Sequence, residues 1–249
     1  MKGSFKALIL ISLGLFLYSR IYTGTLFFYI SERFAWLTLL AAIGFIVVAA
    51  SYRYRAASAH VHEHDHEHSD EHAGHQHGQL SWGGLLLIAL PVILGLLIPP
   101  KPLGAAALSN RDVDITALTS VAPPQNGSVL ARQGGKNILD WLIDFRQRPD
   151  PAAFTDQEAK LIGFVYRDER FNDETFMVSR FVVSCCAADA APLGLVVRWP
   201  EAVALPTDQW VEVNGRFQPG EFEGEQMPIL VADQVTSTEM PDQPYLYPY

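Results

Sequence analysis

Apolar positions along the chain fall into three long blocks, then a series of short alternating runs. Between Lys6 and Arg20 lie 13 uncharged residues, Phe34 to Tyr52 is an uncharged run of 19, and Gly78 to Pro100 is one of 23. A hydrocarbon core of about 30 Å takes about 20 apolar residues as helix. The pattern predicts three spans, near 5–22, 34–51 and 82–99. The first reaches that length only by carrying Arg20, whose guanidinium would snorkel to the headgroups. The intervening TGTLFFYISER is short and aromatic, and reads as an interfacial stretch. A basic start before an apolar run also fits a cleaved signal peptide. However, YSRIY follows where a small-x-small site would stand, and two more spans come after it, so an anchor is expected.

Beyond the Pro99-Pro100-Lys101-Pro102 punctuation the pattern changes. Residues 101–135 read as linker, rich in turn formers and without a sustained period. Asn137 is placed to cap a helix whose apolar face is Ile138, Leu139, Trp141, Leu142 and Phe145, ended by Pro149 and Pro151. Five strand-like runs follow at 159–167, 174–184, 193–199, 209–217 and 227–235. The expected architecture is therefore a membrane α-helical region of three helices over 1–100, with a small all-β OB-like barrel and one flanking helix over 136–249.

Composition sharpens this division. The chain has 249 residues, 18 Lys plus Arg, 27 Asp plus Glu, a formal net charge of −9 and a mean hydropathy of +0.11. Those averages exclude disorder and collagen-like structure, but they describe none of the parts. Residues 1–59 carry six basic side chains against Glu32, residues 60–100 carry five acids and no Lys or Arg, and residues 101–249 carry a net −9. An acidic barrel is unsuited to nucleic acid, which needs clustered Lys and Arg. Apart from Lys6 at the start of the first span and Arg20 near its end, no Lys, Arg, Asp, Glu or His falls inside a predicted span, so the chain by itself is a poor transporter. Lys2 and Lys6 begin the first helix, which favours a cytoplasmic N-terminus and an extracytoplasmic C-terminal domain.

All eight histidines lie in one window inside a polar loop over 56–79: His60, His62, His64, His66, His68, His72, His75 and His77, interleaved with Glu63, Asp65, Glu67, Asp70 and Glu71. Neutral imidazole suits Zn²⁺ and similar divalent ions. Five rings at period two share one side of an extended strand, and a flexible chain can wrap three or four around one ion. No spacing here fixes a closed four-ligand geometry. The loop reads as a low-specificity metal collector or sensor, with a pH-sensitive polar spacer as the alternative.

The two cysteines are adjacent, at Cys185 and Cys186, in SRFVVSCCAADAAPLG. At the end of a strand neighbouring side chains point to opposite faces. One would be buried and the other could reach a strand partner or a metal. Asp189 nearby makes Cys185, Cys186 and Asp189 a second candidate metal site, weighed against two small buried residues at a tight turn. No Cys-x-x-Cys spacing supports redox catalysis, and no residue is assigned a catalytic role.

The stretch LIGFVYRDERFNDETFMVSRFVVSCCAADAAPLGLVV, the later WVEVNGRF, the terminal PYLYP and the early YISERF together resemble the YcgQ-like family of bacterial membrane proteins. The resemblance runs over the full length and implies a multi-pass protein of the plasma membrane, paired with a multi-span permease subunit. It implies no established activity and assigns no chemistry to Cys185, Cys186 or Asp189. Joined to the histidine loop, it suggests an accessory permease subunit linked to zinc or another divalent metal. The alternatives are a membrane-anchored metal- or pH-sensing module without transport, and a membrane-tethered thiol enzyme.

Overall fold

Helix α1 (Lys2–Tyr22) and helix α2 (Ala35–Ser58) form on the first two uncharged runs. The computed structural model describes residues 2–58, 82–109 and 135–248. The histidine window 60–77 and residues 110–134 of the expected linker lie outside these. The chain divides into two units, one comprising Met1–Phe27 with Glu32–Lys101, the other Phe28–Ser31 with Pro102–Tyr249.

In the first unit, small residues let α1 and α2 approach closely. Ala7, Ala42 and Ala49 are buried, and a Cβ on Gly14 would come 3.0 Å from the Ala42 carbonyl oxygen. Small-residue contacts of this kind draw helices together where no water is present to drive association. The large apolar side chains face outward instead: Leu40, Val47, Leu86, Leu87 and Leu96 are all more than half exposed. Among the described residues after 101, Val203 is the large hydrophobic exposed to this degree. Such apolar surface is unfavourable in water and suited to lipid.

Among the described residues, two stretches are helical, long and apolar enough to cross a membrane, Phe5–Tyr22 and Glu32–Tyr52. The third run forms helix α3 (Trp82–Leu97), of 16 residues. At 1.5 Å per residue it is about 24 Å long, so the expected third span at 82–99 is a helix in the expected place but short of the expected length. Ile98 precedes Pro99-Pro100, and a residue before proline is biased out of the helical region, which stops α3 there. Arg20 does not need headgroups for its partners: its guanidinium donates to the Gly95 carbonyl and lies 4.9 Å from the Phe16 ring centroid.

The second unit is a six-stranded mixed sheet: β1 (Glu158–Tyr166), β2 (Thr175–Val182), β3 (Ala191–Arg198), β4 (Trp210–Phe222), β5 (Glu225–Ser237) and β6 (Tyr245–Leu246). Pairing runs β1–β4–β5–β3–β2, and β2 also pairs β1 through Phe164 with Ser179, closing a circuit. Four of these contacts are antiparallel, whereas β3–β5 is parallel. β6 adds in parallel to the end of β2, Phe181 opposite Tyr245. The all-β expectation is thus met as a mixed sheet, with a sixth strand that the sequence pattern did not show.

Alternation along β2 sends its side chains to two cores. Phe176, Val178 and Val182 join one cluster, whereas Met177 and Phe181 join the other. Helix α5 (Ile138–Gln147) closes the first, with Trp141 packed 4.7 Å from the Phe217 centroid and Phe145 edge-on to Phe154 at 4.6 Å. Its start is a reciprocal capping box: Asp140 N–H donates to Asn137 Oδ1 at 3.1 Å, and Asn137 N–H to Asp140 Oδ2 at 2.9 Å. The short helix α4 (Ala105–Ser109) helps close the second cluster through Ala105 and Leu108. Residues 102–109, expected as linker, therefore pack as part of this unit.

Candidate functional site

Strand β2 ends at Val182, whose successor Val183 donates its N–H to the Leu246 carbonyl at 2.9 Å. The chain then turns tightly through Ser184–Asp189 before β3 begins. Asp189 organises that turn. Its Oδ1 accepts the Ser184 N–H at 2.9 Å, and its Oδ2 accepts those of Cys185 at 2.7 Å and Cys186 at 3.3 Å. Three successive backbone donors converging on one carboxylate make a nest.

The nest determines where the sulfurs go. The Sγ atoms of Cys185 and Cys186 lie 3.6 Å apart, on the same side, and neither forms a disulfide. This corrects the expectation of opposite faces, which would hold only if the strand reached the cysteines. Neither cysteine is buried: Cys185 is exposed and Cys186 half-buried. Among the described residues, Cys185, Cys186 and Asp189 are the group of three metal-ligating types whose ligand atoms all lie within 4.8 Å of one another.

Electrostatics bind the three together. Hydrogen bonding to Asp189 and to Cys186, with the Asp189 charge beside it, pushes the Cys185 thiol up to about 12. For Asp189 burial opposes ionisation, but the Cys185 thiol and the three backbone donors outweigh it and hold the carboxyl below the usual range.

A segment from far upstream completes the turn. Ile30 forms an antiparallel bridge with Cys186, with Ser31 N–H donating to the Cys185 carbonyl at 3.0 Å and Ala187 N–H to the Tyr29 carbonyl at 2.8 Å. Tyr245 supports that segment by donating its hydroxyl to the Phe28 carbonyl at 3.1 Å, while accepting the Leu103 N–H at 2.9 Å. Phe28–Ser31 thus belongs to the sheet unit. Phe27 and Phe28 end a 3-10 turn over Thr25–Phe28, and Ile30 alone makes the bridge, so no strand period marks this contact in the sequence.

Two other polar features belong to the same unit. The charged hairpin after β1 is tied rather than loosely solvated: Asp168 accepts the Tyr166 hydroxyl at 2.9 Å and the Arg170 Nε at 3.0 Å, and Arg170 also reaches Glu223. An open groove of about 710 Å³ lies beside α5, lined by Lys136, Trp141, Glu158, Lys160, Asn214 and Asp233 among others.

Family models match the chain in tandem, the DUF1980 N-terminal domain over residues 5–114 and the DUF1980 C-terminal domain over residues 135–248. Both DUF1980 domains are present in the chain. The Ile30–Cys186 bridge therefore joins residues from both DUF1980 domains. Over 99 residues the chain is 24% identical to UPF0703 protein YcgQ of Bacillus subtilis (strain 168), a stretch that is 39% of this chain and 35% of that protein. Over 199 residues it is 21% identical to a Streptococcus mutans serotype c protein named "Putative two-component membrane permease complex subunit", covering 65% of this chain and 72% of that one. The match to the first relative thus spans about a third of that protein's length. The resemblance to the YcgQ-like family stands.

Proposed function

We propose that this DUF1980 chain is a membrane-anchored accessory subunit of a permease complex that handles a divalent metal, zinc above all. In this reading the histidine segment 60–77 collects or senses the ion, and the closed strand circuit is an OB-like barrel that contacts partner or cargo. The relative from Streptococcus mutans, named for a two-component membrane permease complex, supports the class.

The observation that carries the anchoring is that Phe28–Ser31 and Pro102–Ser109 both belong to the sheet unit. The chain leaves that unit into α2 and re-enters it after α3. If α2 crosses the bilayer, α3 must bring the chain back, even at about 24 Å, because a shorter helix is accommodated by local thinning. In this reading the chain is a multi-pass protein of the bacterial plasma membrane with three crossings, and the histidine segment and the barrel fall on opposite sides. Lys2 and Lys6 then favour a cytoplasmic histidine segment and an extracytoplasmic barrel.

The thiol-enzyme alternative is disfavoured. The thiolate is the nucleophile, and the carboxylate beside Cys185 works against forming it.

The test is affinity purification of the tagged full-length chain from membranes, followed by zinc titration of the purified protein and of a variant lacking 60–77. Recovery of a multi-span membrane protein in fixed ratio, with zinc stoichiometry falling by two or more ions on deletion, is the expected result. A chain that purifies alone would reduce the proposal to a sensing module. Unchanged zinc stoichiometry would remove the collector.

A further inference from the structure

At the groove beside α5, Lys136 and Lys160 pair with Asp144 and Glu212, and in the hairpin after β1 Arg170 pairs with Asp168, whereas the turn after β2 brings three metal-ligating side chains together. We propose that Cys185, Cys186 and Asp189 form a thiophilic divalent-metal site with three protein ligands and one position open to solvent. The proposal is independent of the permease reading and of the histidine segment.

Geometry is the main argument. Two thiolates on one tetrahedral ion at 2.3 Å stand roughly 3.8 Å apart, and the sulfurs here are already 3.6 Å apart. The carboxylate completes a triangle no wider than 4.8 Å. Asp189 can both brace the turn and ligate. Its Oδ1 accepts one backbone N–H, leaving a lone pair on an oxygen that can accept twice. Holding a carboxylate in place by hydrogen bonds is how proteins orient metal ligands.

The turn is also held from behind. The Ile30 bridge fixes the backbone on both sides of Cys186, and Tyr245 secures the segment carrying Ile30. The ligands are therefore positioned before any ion arrives, on a surface where Cys185 is exposed. Closed structural zinc sites use four protein ligands, whereas three ligands and an open position suit exchange of the bound species. Two sulfurs select zinc, cadmium or cobalt over magnesium or calcium. On binding a dication, both thiol protons pass to solvent, two metal–sulfur bonds and one metal–oxygen bond form, and water fills the fourth place. No redox change is involved.

The experiment uses full-length reduced protein in detergent with Co²⁺ alone as probe. Thiolate-to-cobalt charge transfer gives a near-ultraviolet band that imidazole and carboxylate ligands do not, so the histidine segment cannot imitate it. The expected result is a band saturating at one equivalent, retained when 60–77 is deleted and lost in both Cys185→Ser and Cys186→Ser. Asp189→Asn should weaken cobalt binding roughly tenfold or more. As a check that does not depend on a variant folding, one equivalent of Zn²⁺ should slow alkylation of both cysteines in the wild-type chain. Absence of the band in the wild type, its survival in either Ser variant, or alkylation indifferent to Zn²⁺ would each overturn the proposal.

Discussion

Ile30 pairs with Cys186 across 156 positions of sequence, in an antiparallel bridge closed by hydrogen bonds of 3.0 and 2.8 Å on either side. The segment supplying Ile30 lies between two membrane-length helices, and the cysteine sits in the turn between β2 and β3. The bridge therefore makes the chemistry at Cys185–Cys186 sensitive to the chain between α1 and α2.

Ser31→Pro tests that coupling. Ser31 is buried, and proline would remove the N–H that reaches the Cys185 carbonyl. The lost hydrogen bond and the orphaned carbonyl should cost about 1–3 kcal/mol. The expected outcome is a lower thermal midpoint together with faster alkylation of Cys185 and Cys186. An unchanged alkylation rate would show that the bridge does not brace the turn.

Asp189 carries a pH dependence. Its carboxyl is held below its ordinary value of 3.8, where a denatured chain would leave it. A depressed carboxyl pKa stabilises the fold above the unfolded value, and that stability is lost as pH falls through the folded value. Asp189→Asn should therefore lower metal-free thermal stability at pH 7, since the amide offers one acceptor oxygen in place of two and turns a donor toward the nest. The difference from wild type should shrink below about pH 3.8. A gap that persists unchanged into strong acid would count against the nest as its origin.

How much of this was readable in the sequence depended on whether the signal was local. Asn137, followed three residues later by Asp140 and an apolar face, announced α5 and its cap. The five β-branched runs marked β1 to β5 to within a few residues at most ends, although β4 and β5 each extend past their apolar cores into a hairpin whose solvent-facing residues carry no hydrophobic period. What stayed hidden was long-range. β6 has two residues, too few for alternation, and exists because Arg180 and β2 hold it. Cys185 and Cys186 were expected on opposite faces because periodicity assumes a strand, and a nest built on Asp189 overrides it. Ile30 carried no sign of its partner at all.

Asn137→Ala should cost about 1 kcal/mol by removing the side-chain acceptor for the Asp140 N–H and breaking the capping box. The loss should appear as a lowered midpoint in thermal unfolding with the sulfur alkylation rate unchanged, since α5 packs on the other core.

Gly215 sits at the bulge between β4 and β5, where a Cβ would meet the Val231 carbonyl oxygen and come 2.8 Å from the Ala232 Cα. Both obstacles are backbone and cannot rotate away. Gly215→Ala should destabilise the sheet unit by about 1–3 kcal/mol, the range for overpacking. Circular dichroism melts of the two chains are the check, and equal midpoints would refute it.

Arg180 holds the segment Gln243–Tyr245 through its backbone carbonyls. Its guanidinium donates to the carbonyls of Gln243, Pro244 and Tyr245, the second at 3.1 Å, and lies 5.7 Å from the Trp210 centroid. Burial pulls it down to about 10, which still leaves it charged at neutral pH. Arg180→Ala leaves those carbonyls without their donor, which should loosen Tyr245 and Leu246 from β2. Because Tyr245 also anchors Phe28, the effect should travel to the Ile30 bridge and on to the cysteines. The expected outcome is new protease cleavage between Met240 and Tyr245 accompanied by faster alkylation of Cys185. Cleavage without faster alkylation would show that the tail and the sulfur turn are held independently.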